Sequence, residues 1–118
     1  MIARIWRGST RATKAQEYVG YLEATGLKEF RQTPGNRGAL VLHRIEGEAA
    51  EFLVVSFWED FDAIRRFAGP HPEKAVYYPE DERYLLGKEP HVAHYEVAPA
   101  SLLEMSRLRG PQEVGGRA

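Results

Sequence analysis

Hydrophobic and polar positions alternate along the first segment. Ile2, Arg4 and Trp6 share one parity, Ala3, Ile5 and Arg7 the other, which predicts a strand over Ile2 to Arg7 ended by Gly8-Ser9-Thr10. The period then changes. Ala15, Tyr18, Val19 and Leu22 recur at helical spacing, Thr13 and Gln16 stand as a capping box, and Gly26 reads as the stop. Leu27 to Gln32 predicts a further short helical turn with Leu27 and Phe30 inward. Pro34 to Gly38 reads as a turn, followed by two strands, Ala39 to Ile45 and Glu51 to Trp58, joined at Gly47-Glu48. Both carry apolar residues on both parities, so both faces of the sheet need cover.

Asp60 is placed to cap a second helix whose inner stripe is Phe61, Ile64, Phe67 and Ala68, stopped at Gly69-Pro70. Glu73 to Tyr78 predicts another helical turn, Glu80-Asp81-Glu82 a solvated acidic loop, and His91 to Val97 a last strand. Residues 1–98 form the expected domain, and 99–118 a tail with a helical candidate at Ser101 to Leu108 and a frayed end. The order strand, helix, strand, strand, helix, strand predicts an α+β, ferredoxin-like split βαβ: a four-stranded antiparallel sheet with helices on one face. Burying the bare face against a second copy would give a homodimer.

Composition narrows the function. Sixteen basic and seventeen acidic residues leave a net charge of -1, which argues against broad electrostatic binding to nucleic acid or an anionic membrane. No cysteine is present, so thiol chemistry and disulfides are excluded. The opening MIARIWRGST lacks the apolar run of a signal peptide, and no stretch is long enough to span a membrane, so a cytoplasmic protein is expected. No phosphate-cradling, dinucleotide or serine-nucleophile motif occurs.

Several motifs together resemble the dimeric α/β-barrel superfamily, in particular its antibiotic-biosynthesis-monooxygenase-like group. They are Trp6-Arg-Gly8, Pro34-Gly-Asn-Arg-Gly38, Phe57-Trp-Glu59, Phe67-Ala-Gly69, Ala75-Val-Tyr-Tyr-Pro79 and His94-Tyr-Glu-Val97. The resemblance implies a homodimer with a pocket between sheet and helices in each subunit. It also implies O₂-dependent oxidation of polycyclic phenols without a cofactor, or haem degradation in other members. The haem-degrading pattern is not met. Its first-strand asparagine is replaced at Trp6-Arg7, its second-helix tryptophan by Phe67, and its iron-binding histidine falls near Val76 and Tyr77. The single asparagine, Asn36, sits in the Pro-Gly turn.

The expected activity is therefore a cofactor-independent monooxygenase acting on a flat aromatic or polyketide-like molecule. The alternative is a non-catalytic homodimer that binds a small apolar metabolite. His71, His94 and Tyr77 are the candidate catalytic residues, since imidazole and phenol titrate or donate near a bound hydroxyl. Trp6, Arg4, Trp58, Phe67 and Tyr78 are the candidate substrate-binding residues. No metal site is expected. His91 and His94, three apart on a strand, point to opposite faces, while mid-strand His43 reads as a core residue with one possible meeting, with His94 across the sheet.

Overall fold

A computed structural model describes residues 1–99. The helix expected at Ser101 to Leu108 lies outside the described residues. The strands are β1 (Ile2–Arg11), β2 (Asn36–Glu46), β3 (Ala49–Trp58) and β4 (Ala93–Glu96), and the helices α1 (Ala15–Ala24), α2 (Gly26–Gln32) and α3 (Phe61–Ala68). The sheet is antiparallel in the order β2-β3-β1-β4. That is the ferredoxin-like arrangement expected from the pattern.

Register assigns each face. Arg4 opposes Ser56 and His94, Trp6 opposes Val54, and Ile2 opposes Trp58, so these residues share the face under the helices. On that face β3 alternates without exception, Ala50, Phe52, Val54, Ser56 and Trp58 all being buried. Tyr18 and Leu22 of α1, Phe30 of α2 and Ala63 and Ile64 of α3 close the core over it. The opposite face carries Leu40, Leu42 and Tyr95, which remain 43%, 48% and 60% exposed.

Several expectations need correction. Gly8-Ser9-Thr10 does not end β1, because β3 continues alongside and pairs Gly8 with Phe52 and Thr10 with Ala50. The Thr13 capping box does not form: Ala12–Lys14 is a short 3-10 turn, and α1 starts without a side-chain cap. Gly26 opens α2 instead of ending α1; the break falls on Thr25, whose hydroxyl donates to the Tyr21 carbonyl at 2.8 Å. Phe61 is 40% exposed, and Ala63 takes the core position in its stead. The Asp60 cap forms as expected, its carboxylate accepting from the Ala63 N–H at 2.9 Å.

Residues 73–78 are not helical. They run extended beside 90–92, with the Ala75 N–H donating to the Pro90 carbonyl at 3.0 Å and the Val92 N–H to the Glu73 carbonyl at 2.9 Å. Pro70, Pro72 and Pro79 remove donors around this segment, which favours an extended strap over a helix. A 3-10 turn, Pro79–Arg83, follows and buries Asp81, which is 4% exposed and no solvated loop residue. His43 is exposed and stacks on Phe52, centroids 5.3 Å apart, because β2 extends beyond the helices. His43 and His94 lie on opposite edges of the sheet and do not meet.

Candidate functional site

Between sheet and helices lies a cavity of about 50 Å³. β1 contributes Arg4 and Trp6, α1 Tyr18, α2 Phe30, α3 Phe67, and the strap Val76, Tyr78 and Asp81. The wall is aromatic because the two-residue period of β1 and the helical stripes aim their large side chains at one layer. The volume admits ordered water but no ring: an apolar cavity that takes up benzene measures about 150 Å³. An aromatic ligand therefore enters only if the strap or α2 moves.

The strap is tied down by polar contacts. The Tyr78 N–H donates to Asp81 Oδ2 at 2.5 Å, and the Tyr78 hydroxyl donates to Glu29 Oε1 on α2. The Tyr84 hydroxyl donates to Glu17 Oε2 on α1 at 3.0 Å. Burial, reinforced by the Asp81 carboxylate, drives the phenols of Tyr18 and Tyr21 far above their usual range; for Tyr78, burial and then the bond to Glu29 do so. These tyrosines are neutral donors at any physiological pH, not bases. The Tyr21 hydroxyl is buried near Asp81 yet makes no hydrogen bond of good geometry.

Arg4 is 4% exposed. Its Nη2 donates to the carbonyls of Lys74 at 2.7 Å and Pro72 at 3.3 Å, and its guanidinium lies 5.5 Å from the Phe67 ring centre. Desolvation lowers its pKa to about 10, so it remains a cation at neutral pH. Its register neighbour His94 packs edge-on to Phe61 at 5.1 Å. The His94 ring is only partly covered, but its Nε2 end is buried without a partner. Desolvation first, and the Arg4 charge second, hold its pKa below the usual histidine value.

A pH dependence follows from that direction. The unfolded chain takes up a proton near pH 6.5, while folded His94 resists it until lower pH. In the window between, the unfolded state binds more protons, so stability should fall as pH drops below about 6.5. Urea denaturation across pH 5 to 8 should show this slope reduced in His94→Gln; an unchanged slope would assign it to other groups.

Of the expected substrate-binding residues, Arg4, Trp6, Phe67 and Tyr78 line the cavity. Trp58 does not; it is fully buried behind the wall, stacked on Phe67 at 5.8 Å, with its indole N–H donating to Ser56 Oγ at 2.8 Å. Among the expected catalytic residues, His71 is exposed and lies 3.8 Å from the Glu73 carboxylate, away from the cavity. Tyr77 turns outward from it too, donating to the Glu89 carbonyl at 2.6 Å and accepting from the Trp6 indole at 3.2 Å. His94 stands beside Arg4 but is not part of the cavity wall. Sequence reasoning missed Asp81, the one acidic group in the wall among the described residues. Its flanking tyrosines and Pro79 were the available signal, hidden by the acidic residues on either side. Among the described residues, no cluster of three or more potential metal ligands occurs, and no helix is long and apolar enough to cross a membrane.

No protein-family model and no curated protein matches the sequence. Solved structures do match the fold. A Bacillus cereus protein described as an antibiotic biosynthesis monooxygenase aligns with a TM-score of 0.56 at 13% identity, over 82% of this chain and 94% of its own. The haem degrader MhuD of Mycobacterium tuberculosis, with two haems in its active site, aligns with a TM-score of 0.51 at 19% identity, over 83% and 96%. A variant of MhuD with two manganese protoporphyrins per active site gives 0.52 at 19% identity, over 83% and 95%. At these identities the likeness shows the fold alone, the ferredoxin-like α+β arrangement that these structures share with this chain.

Proposed function

We propose that the chain is a cofactor-independent monooxygenase-like protein acting on a flat aromatic or polyketide-like molecule. The observation that carries this is the aromatic cavity between sheet and helices, bounded by one cation, Arg4, and one carboxylate, Asp81. In such chemistry the substrate loses a proton, and its anion passes one electron to O₂; the substrate radical and superoxide then combine. The protein supplies a proton acceptor, a dry wall and a positive charge for the anion. Asp81 in the wall and His94 beside it are the proton acceptors in this reading. His71 and Tyr77 do not line the cavity, and Tyr77 reaches it only through the Trp6 indole, so this reading gives them no proton-transfer role.

This reading gives haem no role, because the cavity wall offers iron no histidine. The described positions near Val76 and Tyr77 offer no imidazole for iron either. The same lack of a histidine in the wall supports the alternative, a non-catalytic homodimer that binds a small apolar metabolite. In either case a second copy covers the outer sheet face, where Leu40, Leu42 and Tyr95 are open. Sedimentation at micromolar concentration should give a dimer; a stable monomer would count against it.

Oxygen uptake with anthrones, quinols and flavonoids separates the two readings. The enzyme reading expects turnover that falls about 10²-fold or more in an Asp81→Asn, His94→Ala double variant. Absence of turnover by wild type, or turnover untouched by the double substitution, would leave only the binder.

A further inference from the structure

Arg4 is a buried cation with no carboxylate to match it among the described residues. Among the described residues it makes no ion pair: its two hydrogen bonds go to main-chain carbonyls, and its Nε–H, also buried, has no partner. Directly opposite in the β1–β4 register, the buried Nε2 of His94 is unpartnered as well. Buried guanidinium groups are ordinarily paired or fully hydrogen-bonded, because an uncompensated one is strongly destabilising. Here the unmet donor belongs to a side chain that lines the cavity. Asp81, the other charged group of that wall, makes no ion pair with Arg4, and its Oδ2 is taken by the Tyr78 N–H.

We propose that Arg4 and His94 form an anion subsite at the β4 side of the cavity, which selects ligands bearing a carboxylate. The Nε–H of Arg4 and, in the tautomer protonated there, the Nε2–H of His94 supply two donors to the carboxylate oxygens. A guanidinium edge and a carboxylate match in geometry and charge. The Phe67 ring, its centre 5.5 Å from the guanidinium carbon, offers that cation its face. The inference rests on the reading of the cavity as the ligand site, and it names the class of molecule taken there. Specificity would then reside in Arg4, the only cationic residue of the cavity wall among the described residues.

The test compares benzoate with the neutral aromatic benzyl alcohol, at matched ionic strength, by ¹H–¹⁵N chemical-shift titration of the intact chain. Benzoate should bind at least about tenfold tighter than benzyl alcohol, with shifts at Arg4, the Trp6 indole and His94. In Arg4→Gln the preference should vanish while benzyl alcohol binding is kept; Arg4→Lys, which keeps the charge without the fork, should retain part of it. If Arg4→Gln does not fold, His94→Gln and Arg4→Lys carry the comparison, each expected to narrow the preference. Equal binding of the two ligands, no benzoate binding at millimolar concentration, or a preference unchanged by these substitutions would overturn the subsite and leave the two nitrogens bridged by water. Oxygen uptake is scored separately. Benzoate selectivity without oxidation of any phenol sinks the oxygenase reading and keeps the subsite, and oxidation without benzoate selectivity does the reverse.

Discussion

Replacing Trp58 by alanine is expected to lower the folding free energy by about 3–5 kcal/mol. The indole is fully buried, with Phe30 edge-on at 5.6 Å and Phe67 stacked at 5.8 Å. Removing it leaves a void between β3, α2 and α3 that the surrounding elements can only partly close. It also strips Ser56 Oγ, itself 2% exposed, of the indole N–H that it accepts. A domain of this size has only about 5–15 kcal/mol to lose. Urea denaturation followed by circular dichroism should therefore show a transition moved to much lower denaturant. Trp58→Phe should be milder, since it refills most of the volume and forfeits only the hydrogen bond. A loss below about 1 kcal/mol for the alanine variant would mean that Trp58 does not hold the cavity wall in place. The effect bears on the site because Phe30 and Phe67, which Trp58 supports, both face the cavity.

The elements that carry a strong period were legible in the sequence. An apolar run on both parities, bounded by turn signals, marked β3, and the stripe of Ala15, Tyr18 and Leu22 marked α1, because β3 lies inside the sheet while one face of α1 meets the core and the other meets water. What failed depended on partners distant in the chain. Gly8-Ser9-Thr10 looks like a break in isolation, yet the length of β3 draws it into the sheet. Asp81 sits in an acidic run that reads as solvated. It is buried because the strap, pinned at Lys74 to His91 and at Thr10 to Leu85, folds back over the tyrosines of α1. The site was legible in part for the same reason. Arg4, Trp6 and Phe67 sit on periodic elements, and the period puts them in the cavity wall. His71 and Tyr77 belong to the irregular strap, where no period says which way a side chain points.

The Pro34-Gly35 turn leads to the second large effect. Gly35 has φ of +94°, a conformation that side-chain-bearing residues rarely adopt. A Cβ added there would come within 2.5 Å of the Ala63 Cβ, a fully buried atom of α3. Gly35→Ala thus meets two penalties at once: backbone strain of about 1–3 kcal/mol and overpacking of about 1–3 kcal/mol. The second is hard to relieve, because Ala63 is held by the Asp60 cap and Ala63 has no rotamer to change. α3 must shift instead. The Gly35 carbonyl also accepts from the Glu59 N–H at 2.9 Å, so the strain reaches the loop that leads into the helix. The expected result is a stability loss of about 2–5 kcal/mol. The displacement should extend along α3 to Phe67, disturbing its contacts with Trp58 and Arg4. Gly35→Ala in an Ala63→Gly background removes the close contact and leaves the strain. Relative to Ala63→Gly alone, the loss from Gly35→Ala should shrink by about half, read from urea denaturation of the four chains of the cycle. Strict additivity of the two substitutions would show that α3 does not rest on this turn, and that φ alone accounts for the glycine.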